Sequence, residues 1–419
     1  MVYNFIIDEK NANGPNQIQG LNFCLDFIDS YFNKEEVRIY DCNITDKNLT
    51  YIFVIGVSGY PSHDLKSVTK EKNPEWITSE ETIEIPKSIV SKYHDGFKIS
   101  FLFFTTDECD NPDSVEIFSD YLDFLKINQK HFYLSTANLL LDKNKKEYNS
   151  NINVNSNNIL LSNVSKRLDT TAADYKFVSS RDKLFQCYNN MYKPHRLGIY
   201  TFFNKENLTD LVDLSFLEHT SFDYHHDYIF KEILGNDLKK NKEWHKIASK
   251  SIKNKISLKS NFEDINSDNK TGRQLYTSAL HEVATKQNLY KHAFINIVTE
   301  SQYVWKNVIH ITEKSILPFF FYQIPIIIAT AGHVQCMKDR YDLDFFDDII
   351  NHSYDSVEDN VLRFQKITKE ILRLSKMQKE IQEFIIKNQK RFEKNKQIIK
   401  NIHKSNYNKD FWKSLTYIQ

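Results

Sequence analysis

Apolar positions in the first 165 residues fall into short runs parted by polar stretches. Tyr3–Ile7, Val37–Tyr40, Tyr51–Val57, Lys98–Phe104, His131–Ser135 and Asn158–Leu161 read as strands, several of them unbroken apolar segments of the kind covered on both faces. Between them Gln17–Phe32 and Ser114–Leu125 carry helical spacing. Strands alternating with helices predict an open, mainly parallel sheet. The polar, low-complexity stretch Asp142–Asn157 reads as a surface loop near the end of a first domain.

A second α/β pattern follows: strand at Phe185–Tyr188, helix at Arg196–Phe203, strand at Ala293–Val298, helix at Thr312–Tyr322, strand at Ile326–Thr330. From Ser356 to about Asn401, apolar residues at Val357, Val361, Phe364, Ile367, Ile371, Leu374, Met377, Ile381 and Phe384 recur every three or four positions, a stripe that docks on a core. The expected architecture is α/β: two Rossmann-like domains, 1–165 and 166–375, with a helical extension over 376–419. Ligands in such sheets sit outside the carboxyl ends of the strands.

Composition narrows the classes. With 55 basic and 55 acidic residues among 419, the formal charge is zero, which disfavours a protein that coats nucleic acid or anionic lipid over its whole surface. The Lys-rich stretch Lys387–Lys409 leaves a local nucleic-acid contact open, and a solvated helix face explains it equally well. Aromatics at 14% exclude wholesale disorder. Five scattered cysteines without a CxxC pair predict neither a disulfide framework nor a zinc finger. The N-terminus lacks signal-peptide character, and the longest apolar run, Ile316–Ala331, is broken by Pro318, Gln323 and Pro325. It falls short of the roughly 20 residues of a membrane span. A cytoplasmic protein without stable membrane insertion is expected.

The chemistry concentrates in Phe294–Ala331. One β-rich run ends in Thr299-Glu300-Ser301. A second, Val308–Ile311, leads into Thr312-Glu313-Lys314 and an apolar helix. Thr312 is a natural N-cap, and Glu313 stands where a helix dipole favours an acid. Backbone N–H groups there, with the Lys314 ammonium, can hold a phosphate or diphosphate. A carboxylate beside them can accept from ribose hydroxyls. A capped helix with a surface lysine is the plainer reading of the same residues.

Phe294–Glu300 followed by ITEK at 311–314 resembles the donor-binding signature of fucosyltransferase-type GT-B glycosyltransferases, and is more closely similar to phage and viral glycosyltransferase-like proteins. Further along, PIII at 325–328, DLDFFDDII at 342–350, HSYD at 352–355 and Arg363 follow that group's order. The segment departs from it at Asp344-Phe345, where a Gly-Phe is expected, and at His352, where an acid is. Lys183–Phe203 resembles a second block of the group, a strand, a turn and a helix led by His-Arg, with Asn189-Asn190 where Asn-Arg is expected. The resemblance covers roughly residues 180–375. It implies a GT-B fold and metal-independent sugar transfer from a UDP- or GDP-linked donor, which is a co-substrate and not a cofactor. The acceptor is a glycan, a protein or modified DNA. Lys183, Asn189, Arg196, Glu300, Thr312, Glu313 and Lys314 become donor-binding candidates, with Arg196 offering its planar fork to phosphate.

The base is expected after strands of the N-terminal domain. Glu108, with Asp107 beside it, is the first candidate, and Asp64, with His63, the second. Two metal-like patterns are weaker. Asp223–Asp227 places His225 and His226 side by side, off any shared helix face, and Asp342-Leu343-Asp344 matches a DxD in the wrong part of the chain. No GxGxxG or GxxxxGK[ST] occurs, so hydride-transfer and P-loop chemistries are poor fits. A binding protein that keeps such a nucleotide site without turnover is the competing class.

Overall fold

The computed structural model describes residues 2–7, 36–55, 60–61, 82–83, 85–104, 112–136, 150–156, 159–189, 193–216, 230–253, 290–306 and 308–404. The chain divides into two compact units: Met1–Asn163 with Asn269–Thr277 and Lys404–Gln419, and Val164–Asp268 with Ser278–His403. It is a mixed α/β protein with a parallel sheet in each unit. No described helix is long and apolar enough to cross a membrane.

In the first unit the strands are β1 (Tyr3–Ile7), β2 (Val37–Tyr40), β3 (Thr50–Ile55), a small ladder of β4 (Tyr60–Pro61) and β5 (Thr82–Ile83), β6 (Lys98–Phe104), β7 (Phe132–Thr136) and β8 (Asn153–Ser156). The main sheet runs β2-β1-β3-β6-β7-β8, parallel throughout. Its helices α1 (Lys87–His94) and α2 (Pro112–Phe124) supply Ile89, Val115, Phe118 and Leu122 to a core shared with Phe53, Phe101, Phe103 and Phe132. Two expectations fail here. The strand placed at Asn158–Leu161 is the start of α3 (Ile159–Thr171), whose Leu161, Val164 and Leu168 are buried at helical spacing. The loop placed at Asp142–Asn157 contains β8; Val154 within it and Ile152 just before it alternate with asparagines and are buried. The helix expected at Gln17–Phe32 lies outside the described residues.

The second unit holds β9 (Lys183–Asn189), β10 (Val212–Phe216), β11 (Ala293–Thr299) and β12 (Ile324–Ile328), all parallel in the order β10-β9-β11-β12. β11 is buried along its whole length, as an inner strand with both faces covered must be. Pro325 lies on the outer strand β12, where a missing N–H is tolerated. Val308–Ile311 is buried but makes only one β-bridge, at His310.

The helices are α4 (Pro194–Lys205), α5 (Lys231–Leu234), α6 (Leu238–Lys253), α7 (Glu313–Phe320), α8 (His333–Tyr341), α9 (Asn360–Leu374), α10 (Gln378–Lys387) and α11 (Gln389–Asn401). Gly198 lets α4 pack close: a Cβ there would lie 2.2 Å from Ile233 Cδ1 and 2.9 Å from Phe364 Cζ. The C-terminal stripe is cut into three helices, and Phe364, Ile367, Ile371, Leu374 and Ile381 on it are buried.

The strand order fixes where a ligand would bind. From β9 the chain moves one way to β10 and the other way to β11 and β12, so the switch point lies between β9 and β11. Asn189 ends β9 and Thr299 ends β11, and the two meet there: Thr299 Oγ1 donates to Asn189 Oδ1 at 2.5 Å.

Candidate functional site

The carboxyl edge of the second sheet gathers most of the polar residues that the sequence pointed to. Glu300 directly follows β11 and is fully buried. Its Oε1 accepts from Thr312 N at 3.0 Å and Ser315 Oγ at 2.5 Å, and its Oε2 from Thr312 Oγ1 at 2.8 Å and Ser301 N at 3.2 Å. Burial alone would push this carboxyl up. Lys314 and His333 nearby, with the Ser315 and Thr312 hydrogen bonds, outweigh that and bring it down to about 2. Glu300 is therefore ionised at neutral pH. Its four donors fill the capacity of a carboxylate, so in this arrangement it does not take the ribose hydroxyls expected of it.

Thr312 caps α7 as expected, its hydroxyl accepting from Lys314 N at 3.3 Å. Lys314 Nζ lies 3.3 Å from the same hydroxyl and 3.0 Å from Glu313 Oε1. Burial pulls the ammonium down, but Glu313 and Glu300 more than compensate and leave its pKa raised, so it stays charged. About a third of its side chain, 36%, remains exposed, and Glu313 is 24% exposed.

On the other side of the switch point, α4 begins Lys193-Pro194-His195-Arg196. Proline suits the first position of a helix. The rest runs against the usual pattern: no side-chain cap, no acid in the first turn, and basic residues where the dipole favours an anion. Arg196 is buried, with Nη2 donating to Thr299 O at 3.4 Å and Glu300 O at 3.3 Å. His195 donates Nε2 to Glu300 O at 2.8 Å and stacks on Tyr303 with centroids 5.2 Å apart. Burial, with Arg196 and Lys193 alongside, drops this imidazole to about 3 and keeps it neutral. Lys193 Nζ donates to Ser301 O at 2.5 Å. Arg196 also lowers the pKa of Lys314 by repulsion, so the two cations act on the same small region.

Two further residues at this edge had no role in the sequence reading. His333 opens α8 after Gly332, whose φ of +80° suits glycine. Its Nε2 lies 3.1 Å from Ser315 Oγ. Because Ser315 gives its proton to Glu300, His333 must donate from Nε2. Nδ1 then carries the lone pair, and it finds no partner among the described residues. Asp355, the acid of the HSYD segment, accepts from Val334 N at 2.9 Å and Gln335 N at 3.0 Å. The start of α8 is thus filled by an internal carboxylate. The sequence signals available were the αL glycine before His333 and the position of Asp355 in a matched motif; nothing local marked His333.

Other candidates fall elsewhere. Lys183 begins β9, at the opposite end of the sheet from Asn189, and its Nζ donates to Asp210 O at 2.8 Å. Six residues of strand rise, roughly 20 Å, part it from the carboxyl edge; it does not join Arg196 and Lys314. Asn189 is buried at the switch point, its Nδ2 3.3 Å from Cys187 Sγ. Arg363 stacks on Tyr303 at 4.5 Å and donates to the carbonyls of Tyr303, Val357 and Glu358, which makes it a staple between α9 and the segment after β11. Asp344 is bound by Arg391 at 2.6 Å and Asp342 by Lys394 at 2.9 Å, so both acids of the DxD pattern are engaged in ion pairs with α11. Among the described residues no group of three His, Cys, Asp or Glu side chains could hold a metal. Glu108, Asp64, Asp107, His63 and Asp223–Asp227 lie outside the described residues.

No family model, curated protein or solved structure matches the chain.

Proposed function

We propose that the second unit binds the diphosphate of a UDP- or GDP-linked sugar at the carboxyl edge of its sheet, and that the protein is a GT-B-like glycosyltransferase moving that sugar to an acceptor hydroxyl. The observation that carries the reading is the start of α4: Lys193 and Arg196 at the positive end of a helix without acid or side-chain cap, next to the part-exposed side chain of Lys314. Like charge gathered on a helix dipole is unfavourable until an anion joins it. The site lies at a switch point, where open parallel sheets take nucleotides.

Sugar transfer builds negative charge on the leaving diphosphate. Cations and backbone N–H groups fixed beforehand lower the barrier by meeting that charge. Lys314 and Arg196 take this role, and they need no divalent cation to do so. Glu313, exposed enough to meet a ligand, is the carboxylate of this edge that can reach ribose hydroxyls. Glu108 and Asp64 remain the candidates for the base that deprotonates the acceptor.

The test is a panel of UDP-, GDP-, CMP- and ADP-linked sugars with chelator present, following nucleotide release and the shift in melting temperature. Release of UDP or GDP from one donor supports the reading. Binding without release or transfer to any glycan, protein or modified-DNA acceptor would make the protein a nucleotide-binding module, and no shift with any diphosphate would overturn the site.

A further inference from the structure

We infer that Glu300 is a positioning residue that sets the Lys314 ammonium through the hydroxyl of Thr312. For its functional consequence this rests on the diphosphate reading above; its structural content does not.

Thr312 has one hydroxyl proton, and Glu300 Oε2 takes it at 2.8 Å. The hydroxyl therefore offers only lone pairs to the rest of its surroundings. Lys314 N and Lys314 Nζ both approach it, each at 3.3 Å. An ammonium has three donors and no acceptor, so it can stay beside this hydroxyl only while the proton points away. Glu313 Oε1, at 3.0 Å, supplies the second anchor. Glu300 also accepts from Thr312 N and Ser315 Oγ, which fixes the turn that carries Lys314. Ser315 in turn holds His333, 3.1 Å away, so the carboxylate ties the starts of α7 and α8 together. With a neutral amide at position 300, its NH2 group would face a donor, and the Thr312 hydroxyl could turn toward Lys314 and expel it.

The charge of Glu300 by itself works in the opposite sense, because a buried anion beside a phosphate site repels the ligand. The two effects are therefore separable in one variant. Full-length wild type, Glu300→Gln, Thr312→Ser and Thr312→Val would be compared in two readouts. One is the pH profile of Lys314 acetylation by acetic anhydride, read by mass spectrometry; the other is titration with inorganic pyrophosphate. Positioning predicts that Glu300→Gln shifts the Lys314 profile to lower pH and weakens pyrophosphate about tenfold or more. Thr312→Val should do the same with the Glu300 charge still present, and Thr312→Ser should match wild type in both. Equal or tighter pyrophosphate binding in a folded Glu300→Gln would overturn the inference. Should Glu300→Gln fail to fold, an unchanged Lys314 profile in Thr312→Val overturns it. If pyrophosphate does not bind wild type at all, the diphosphate reading fails, and the Lys314 profiles alone decide for or against positioning.

Discussion

The two ends of the second unit's sheet solve the same problem with opposite chemistry. Each buries an arginine among strand termini. At the amino end, Arg181 donates to the carbonyls of Tyr290 and Ala293 through Nη1 and to those of Phe321 and Tyr322 through Nη2. Beside it Gln323 links Asn296, Gln186 and the carbonyl of Ala293. Every partner is neutral, and the pieces before β9, β11 and β12 are stapled together. Burial lowers the Arg181 pKa to about 10, still charged at neutral pH. At the carboxyl end the centre is an anion, Glu300, with Lys314 beside its carboxylate and partly in solvent, while Arg196 and Lys193 donate to the carbonyls of Glu300 and Ser301. A staple needs only saturated hydrogen bonds. The carboxyl end instead gathers charge at helix starts and leaves one lysine side chain partly exposed, which is why the diphosphate is proposed there.

This contrast breaks most readily at the staple. Arg181→Ala takes this donor from the buried carbonyls of Tyr290, Phe321 and Tyr322, while Ala293 O keeps Gln323. At about 1–3 kcal/mol for each group left unpaired, less what water recovers, the second unit should lose on the order of 4 kcal/mol. Urea unfolding would measure it. Lys314→Ala, which removes a part-exposed ion pair with Glu313 and the main cation beside the buried Glu300, should cost less, on the order of 2 kcal/mol, and it strips the site of its part-exposed cation.

Acid sharpens the comparison. Glu300 is held down at about 2 in the folded chain, below the ordinary carboxylate value of about 4.3 that it takes when unfolded. Its contribution is complete above the unfolded value and is lost as pH falls toward the folded one. That loss amounts to about 3 kcal/mol between roughly pH 5 and pH 2. Glu300→Gln should flatten this slope in urea midpoints taken from pH 6 to pH 3, whereas the Arg181 staple keeps its charge throughout. An equally steep acid slope in Glu300→Gln would assign it to other carboxyls.

Lys183 provides the smallest effect and the cleanest control. It shares β9 with Asn189 but stands at the amino end, with one bond to Asp210 O. Lys183→Ala should change stability by less than about 0.5 kcal/mol and leave pyrophosphate affinity as in wild type. A marked loss of affinity would mean that the ligand site is not at the carboxyl edge.

How much of this could be read from the chain depended on the range of the interaction. β11 was legible because an inner parallel strand is a continuous apolar run, and the capped start of α7 because Thr312, Glu313 and Lys314 are neighbours. β8 was hidden by composition: its alternation is short and set in asparagines. The resemblance also pointed to Lys183, since nothing in β9 says which end of the strand faces the ligand; the parallel register with β11 does. Glu300 was singled out for ribose hydroxyls, and in the fold its carboxylate is taken up by internal donors instead. Its hydrogen bonds reach Thr312 and Ser315, 12 and 15 residues away, and only the fold brings those donors to it. His333 and Asp355 escaped for the same reason.

The diphosphate proposed at the carboxyl edge of the second sheet rests on Lys314 and the start of α4. Calorimetric titration of inorganic pyrophosphate into wild type and Lys314→Ala, at low and moderate salt, tests it most directly. Binding should weaken with salt and fall at least tenfold, on the order of one charge-assisted hydrogen bond, in Lys314→Ala. Pyrophosphate binding that is equally tight in wild type and Lys314→Ala would contradict it.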